Sequence, residues 1–242
     1  MTTHGSVLSV NVGHSAPLAG RAGAELSGID KQPTSAISVR DPGGNETGAG
    51  SGVIDDDIVD RHNHGGERQA VYAVAREELD YWAGQLGRTL APGAFGENLT
   101  TTGIDVDALL IGTMLAIGVG PDGQERHEAS PAVVLEVCGP RVPCATFAAH
   151  IGERGWVKSF TARRRPGAYL AVRTPGQIVP GDSVVLTHTP DHDITIADLL
   201  AARFGDLSAA QRVLDAGVVP QSDRDYLADM LARRADGSTS AG

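Results

Sequence analysis

The sequence predicts a mostly β (α+β) fold: a barrel-like or strongly bent sheet followed by a small appendage of three helices. Three observations predict it. Short apolar runs recur between turn signals such as Pro92-Gly93, Pro166-Gly167, Pro175-Gly176 and Pro180-Gly181-Asp182. These runs show no βαβ alternation, which argues for a β-barrel or strongly bent sheet. At Pro190 the pattern changes to helical apolar spacing. The implied organisation is a β-barrel domain over 1–189, a three-helix appendage over 190–236 and a disordered tail over 237–242.

Met1 to Gly5 reads as a frayed end. Val7 to Val12 alternates apolar and small polar residues, a strand pattern that Gly13-His14-Ser15 breaks. A polar turn, Ser27 to Pro33, precedes a second strand over Ala36 to Arg40. Its Lys31 is an ordinary surface charge unless it converges on the site described below. Asp41 to Gly52 is rich in glycine and reads as a flexible surface loop. Asp55-Asp56-Asp57 lacks the alternating ligand spacing of a calcium loop and reads as mostly solvated. His64-Gly65-Gly66 joins an imidazole to a backbone free to approach a ligand closely; His64 is either a loop residue or a cofactor contact.

Glu67 to Leu86 carries apolar residues at roughly helical spacing, with Glu77 and Glu78 expected outside and Gly87 as the stop. Pro92-Gly93-Ala94-Phe95-Gly96-Glu97-Asn98-Leu99-Thr100 places one aromatic between glycines and then a Glu-Asn pair. Asn98 donates and accepts at once, which suits either recognition of a heterocycle or an Asn-held turn. Leu109 to Gly118 reads as a strand, Gly120 to Ser130 as a long polar hairpin loop, and Ala132 to Val137 as a buried strand. Phe147 to Ile151 reads as one helical turn. Arg163-Arg164-Arg165 is either a solvated face or a point of anion attraction. Strands follow at Ala168–Arg173 and Ser183–Thr187. In the tail, Ile194 to Asp198 opens one helix, and Ser208 and Ser222 are candidate caps for two more. Such a tail is expected to pack or to form a homodimer rather than to catalyse.

The 242 residues allow one large domain or a domain with an appendage. Aromatic content of 4% leaves the core to aliphatic side chains, and the net charge of −10 argues against nucleic acid as a partner. No apolar run reaches the ~20 residues of a membrane helix, and no signal peptide is evident. Two cysteines make no disulfide scaffold, so a reducing cytoplasm with free thiols is the expected setting.

The chemistry concentrates in Cys138-Gly139-Pro140-Arg141-Val142-Pro143-Cys144. Neither proline donates to a ladder, so the strand is expected to end there in a stiff loop. The loop offers thiols, which are soft ligands and nucleophiles when ionised, beside a guanidinium whose fork suits phosphate. It reads either as a site for a sulfur-bound metal cofactor with a phosphate tail or as a structural cysteine at a strand end.

His64-Gly65-Gly66, the Pro92–Thr100 stretch and Pro140–Cys144 together resemble the MOSC domain, named after the C-terminal domain of molybdenum cofactor sulfurase. Their order and spacing are similar to its bacterial YiiM-like branch, as are the Val7–Gly13 strand, Ser27 to Lys31 and the three-helix tail. The resemblance implies a β-barrel-like domain that binds a molybdopterin-type molybdenum cofactor, with Cys144, not Cys138, as catalytic residue and metal ligand. It implies that Lys31, His64, Phe95, Gly96, Glu97, Asn98 and Arg141 line the cofactor site, with Arg141, Lys31 and His64 toward the phosphate. The implied activity is reduction of small N-hydroxylated or N-oxygenated compounds. The chain carries no cysteine set for an iron–sulfur cluster and no dinucleotide fingerprint, so electrons are expected from a separate reductase; pyridoxal phosphate is not expected. Thr113, Ala145-Thr146-Phe147, the 119–130 hairpin and the 41–52 loop depart from the family pattern. A metal-free cysteine enzyme of sulfur transfer or C–S chemistry, and a cofactor carrier without turnover, are the alternative readings.

Overall fold

The computed structural model describes residues 4–18, 25–118 and 132–239, with side chains to residue 234. The expected hairpin loop at 120–130 lies outside the described residues. The strands are β1 His4–Gly13, β2 Ala16–Pro17, β3 Leu26–Ser27, β4 Lys31–Thr34, β5 Ile37–Val39, β6 Val71–Ala75, β7 Leu99–Thr102, β8 Met114–Ile117, β9 Val133–Pro140, β10 Ala168–Thr174, β11 Gly176–Ile178 and β12 Ser183–His188. The helices are α1 Arg76–Leu86, α2 Ala145–Ile151, α3 Trp156–Arg163, α4 Ile196–Arg203, α5 Leu207–Ala216 and α6 Gln221–Thr239.

The main sheet runs β12-β8-β9-β10-β6-β7-β1, and β1 pairs back onto β12, closing a seven-stranded barrel with β4 added along β1. The ten residues of β1 make this possible. Its first three pair with Val185, Val184 and Ser183, and its last four pair with β4. His4 and Gly5 are therefore ladder residues rather than a frayed end.

The segment expected as a single helix from Glu67 splits in two: a 3-10 turn over Glu67–Gln69 leads into β6, and only Arg76–Leu86 is helical. All five residues of β6 are buried because both of its faces are covered. Val71, Ala73 and Ala75 face the barrel core, while Tyr72 and Val74 face a second, aromatic core under α1, α2 and α3. A strand covered on both sides has no polar alternation, so its apolar run merges with that of the helix after it. β6 and β7 are parallel, joined by α1, which makes one βαβ unit in an otherwise antiparallel barrel. Gly87 ends α1 in the left-handed conformation, as the sequence leads one to expect.

The tail forms the three expected helices. Thr195 and Asp198 cap α4 reciprocally, but Asp206 rather than Ser208 caps α5, accepting from the Ala209 N–H at 3.1 Å. α6 follows Pro220 directly and runs through Thr239, taking in residues expected in the tail. Ile194, Ile196, Leu199, Ala202 and Val213 belong to the same buried cluster as the barrel interior.

Candidate functional site

Four segments deliver side chains to one end of the barrel. β9 continues beyond Val137 to Pro140, which pairs with Ala168, so Cys138 and Gly139 are strand residues and only the second proline lies in the loop. Pro140 is accommodated as the last residue of the ladder. Arg141 follows, and Cys144 immediately precedes α2. β4 contributes Lys31, the turn before β7 contributes Gly96 and Asn98, and β6 contributes Tyr72. These six side chains and backbones line a cavity of about 130 Å³. A wider basin of about 860 Å³ lies on the other side of Cys144, and His64, Gln69, Cys144, Thr146 and Tyr169 border both.

Arg141 is 6% exposed. Its guanidinium carbon lies 4.2 Å from the centre of the Phe147 ring and 5.1 Å from that of Tyr72. Aromatic faces favour a cation, yet the buried Nε has no hydrogen-bond partner. Lys31, also buried, behaves differently. Its ammonium is paired with Asp56, whose carboxylate also accepts from the Gly13 N–H at 2.8 Å, Ser51 Oγ at 2.8 Å and Asn98 Nδ2 at 3.1 Å. Burial pulls the Lys31 ammonium below its ordinary value, against the stabilising pull of Asp56. Asp56 is thus a buried anchor, not one of three solvated aspartates. Among the described residues, Arg141 lines the cavity without a carboxylate partner.

Cys144 is half-buried. Burial alone raises a thiol's pKa, but hydrogen bonds from the His64 side chain and the Phe147 backbone N–H, with the charge of Arg141, outweigh it and lower the value to about 7. The thiol is therefore easier to ionise than an ordinary cysteine. Cys138 is the opposite case: it is 5% exposed, and burial pushes its thiol up. Both cysteines are free.

The Pro92–Thr100 stretch divides between wall and support. Gly96 lies on the wall with φ +75; a Cβ there meets Ile29 Cγ1 at 2.9 Å and stands 3.6 Å from Arg141 Nη1. Asn98 is consumed internally. Its Oδ1 accepts from the Tyr72 N–H at 3.2 Å, and its Nδ2 donates to Asp56 Oδ2 at 3.1 Å and to the Asn11 carbonyl at 3.3 Å. It orders the loop. Glu97 is fully buried beneath it, accepting from the Gly93 and Phe95 N–H groups at 2.6 and 2.9 Å and from Thr100 Oγ1 at 2.9 Å, while burial raises its carboxyl. Phe95 does not reach the cavity. It packs edge-on to Phe147, Trp156 and Phe160 in the aromatic core, with centroids 5.3 to 5.9 Å away.

The 41–52 loop is tied down along its length. The Glu67 N–H donates to the Gly43 carbonyl at 2.8 Å and the Gly66 N–H to the Gly50 carbonyl at 2.9 Å. A Cβ on Gly66 sits 1.8 Å from Asn45 Oδ1, so the glycine pair serves this loop as much as any ligand. The basic run is neutralised at home: Arg163 and Arg165 grip the buried Glu78, and Arg164 pairs with Asp206. Glu78 is accordingly inside, not outside. Tyr72, Tyr169, Gln69 and Asp56 are site residues that sequence reasoning missed. The first two sit in runs that read only as apolar.

The structure brings together Cys144, Arg141, Lys31, His64, Gly96 and Asn98; Phe95 and Glu97 stand behind the wall. Among the described residues no group of three His, Cys, Asp or Glu side chains is placed to hold a bare metal ion, and no helix is long and apolar enough to cross a membrane.

Comparisons with known proteins follow the same lines. The MOSC domain family model matches residues 60–185. A protein named "Uncharacterized protein YflK" from Bacillus subtilis (strain 168) is 29% identical over 223 residues, 90% of this chain and 91% of that protein. A protein named "Reductase" from Gibberella moniliformis is 27% identical over 176 residues; these make 70% of this chain and 29% of that protein. The crystal structure of YiiM from Geobacillus stearothermophilus superposes with a TM-score of 0.68 at 23% identity, covering 94% of this chain and 99% of the other. That of YiiM from Escherichia coli gives 0.61 at 19% identity, covering 97% and 94%. At these identities the structural likeness is one of fold.

Proposed function

The chain belongs to the MOSC domain family, and from that premise we propose that it is an oxidoreductase that binds a molybdopterin-type molybdenum cofactor and reduces N-hydroxylated or other N-oxygenated compounds. One observation carries the reading: a buried guanidinium without an ionic partner among the described residues, Arg141, stands in one small cavity with the thiol of Cys144.

The residues fit such a group. A single thiolate does not hold a bare ion, so a metal here must arrive with most of its ligands, as it does in a pterin dithiolene. A phosphate tail carries about two negative charges near neutral pH, which supplies what Arg141 lacks. Bound there, the cofactor supplies two-electron removal of oxygen from an N–O bond, and two protons are consumed as one water leaves. Cys144 would provide one ligand through its ionised sulfur, with His64 on the same wall to orient it. Arg141 takes the phosphate, with Lys31 beside it on Asp56. Gly96 keeps the wall low enough for the approach. Nothing in the chain resembles a resident electron carrier, so a separate reductase is part of the proposal.

The placement of His64 and Cys144 on one cavity wall also favours a second reading, a metal-free thiol nucleophile. Metal and pterin analysis of the protein purified from a molybdopterin-competent host separates the two. Near-equimolar molybdenum and pterin are expected, and the loaded protein, given a competent reductase, is expected to consume an amidoxime or N-hydroxylated base. Protein free of both metal and pterin rejects the reading in favour of the thiol enzyme; cofactor bound without turnover leaves a carrier.

A further inference from the structure

The wide basin outside Cys144 is walled by parts that the cofactor reading does not use: the 41–52 loop, the Glu67–Gln69 turn, the Cys138–Pro140 strand end and the first turn of α6. Most charges on this wall are already matched. Glu67 is paired with Arg173 at 2.6 Å, and Asp223 is paired with Arg203. Arg68 is different. It is half-buried, and its Nη2 donates to the Cys138 carbonyl at 2.9 Å, which anchors one edge of the guanidinium to β9. Among the described residues it has no carboxylate partner. Next to it, buried Gln69 Oε1 has no hydrogen-bond donor. A guanidinium held at one nitrogen, with no other hydrogen bond among the described residues, offers a fork for a planar anion. Of the carboxylates on the same wall, Glu67 and Asp223 are held by other arginines and Asp60 accepts from Asn63.

We propose that Arg68 is a specificity-determining residue and that the substrate of this site carries a carboxylate or comparable planar anion, seated on Arg68 with the reactive end toward Cys144. This rests on the assignment of the basin as the substrate side of the cofactor cavity. Gln69, which borders both the basin and the cofactor cavity, lies on the same wall.

The test uses two probes of the same shape, benzamidoxime and 4-carboxybenzamidoxime, and the non-reducible 4-carboxybenzamidine for binding. Calorimetry on the purified full chain is expected to show that the carboxylated amidine binds at least tenfold more tightly than benzamidine, with the advantage shrinking as salt rises. Arg68→Gln is expected to erase most of that ratio, and Arg68→Lys to restore part of it. Arg154→Gln, which removes an exposed arginine far from the basin, leaves the ratio as in wild type. Equal binding of the two amidines by wild type overturns the inference, as does a ratio that survives Arg68→Gln. An arginine that merely braces the turn weakens both ligands alike and lowers the melting temperature. Binding needs no turnover, so the outcome stands apart from the cofactor proposal: if neither amidoxime is reduced by cofactor-loaded protein while the ratio holds, the reductase reading fails and the anion site remains.

Discussion

The Arg141 guanidinium lies 4.2 Å from the centre of the Phe147 ring, and Phe147 sits three residues after Cys144 in α2. One aromatic side chain therefore fixes the cation of the site, while its own backbone N–H helps hold the thiol ionised. The rest of that ring packs against Phe95, Trp156 and Phe160. The aromatic core thus carries the geometry of the site without entering it.

Arg141 is expected to show opposite effects on stability and on binding. A buried charge without a partner is costly, so Arg141→Met is expected to raise the melting temperature of cofactor-free protein. Losing a charge-assisted contact of about 1.5–3 kcal/mol is expected to weaken cofactor retention tenfold to a hundredfold in Arg141→Ala. Arg141→Lys restores charge but not the fork and recovers only part. Arg164→Ala is the control, since the exposed Arg164–Asp206 pair contributes little. The readout is cofactor content after equal dialysis. Full retention in Arg141→Ala with loss in Arg164→Ala moves the clamp to the basic run.

The two cysteines are expected to separate by pH and by cofactor. The Cys144 thiol, lowered to about 7, is expected to alkylate with a rate that rises through neutrality; the His64→Ala variant, lacking one of the hydrogen bonds that lower it, titrates higher. Cys138 is buried and raised, so it reacts only as the chain opens. In cofactor-free protein the depressed Cys144 value also makes a stability contribution that is present above the unfolded thiol's pKa and lost as pH falls through about 7. Cys144→Ser is expected to lose bound molybdenum and Cys138→Ser to keep it. Equal loss in both variants removes the assignment of Cys144 as the ligand.

The fold class, a β-barrel with a helical tail, was legible in the sequence, and so were the stretches that line the cavity. Cys144, Arg141 and Gly96 announce themselves because their chemistry or backbone demands are unusual for their positions. Tyr72 and β6 were hidden for a physical reason: a strand buried on both faces, followed at once by a helix, leaves one unbroken apolar run. Phe95 and Glu97 were read as wall residues because they stand in the right stretch; only the packing shows that Glu97 ties the turn and Phe95 carries it. Asp56 shows the reverse error, since three adjacent aspartates look solvated until one of them meets a buried lysine.

Removing the helices is expected to cost the barrel its cooperative transition. Ile194, Ile196 and Leu199 are each no more than 2% exposed and share a cluster with Leu135, Val137 and Leu170 of the sheet. A chain ending at Thr189 leaves that surface open, so lower solubility is also expected. Ile196→Ala tests the same contact in the full chain, with an expected loss of about 2–5 kcal/mol. A truncated protein that melts as sharply as the full chain shows instead that 1–189 is an independent unit.

Asp107 gives the molecule a pH dependence that does not involve the site. Its carboxyl is 3% exposed, accepts from the Gly167 N–H at 2.7 Å, and leaves Oδ2 without a hydrogen bond. Burial raises its pKa from 3.8 to about 7, and the nearby Glu78 and Asp105 add to the rise while Gly167 and Arg165 oppose it. Between those two values the folded chain holds a proton that the unfolded chain has released. The contribution of this group to stability is therefore full below pH 3.8, declines as pH rises toward 7 and is flat beyond. The size of the decline is on the order of 2–4 kcal/mol. Asp107→Asn keeps an acceptor for Gly167 and cannot ionise, so its stability relative to wild type is expected to improve steadily from pH 4 to pH 7. Denaturant unfolding of both proteins across that window measures it. A stability difference that does not change with pH means that Asp107 is ionised throughout, held so by Arg165 at 3.6 Å.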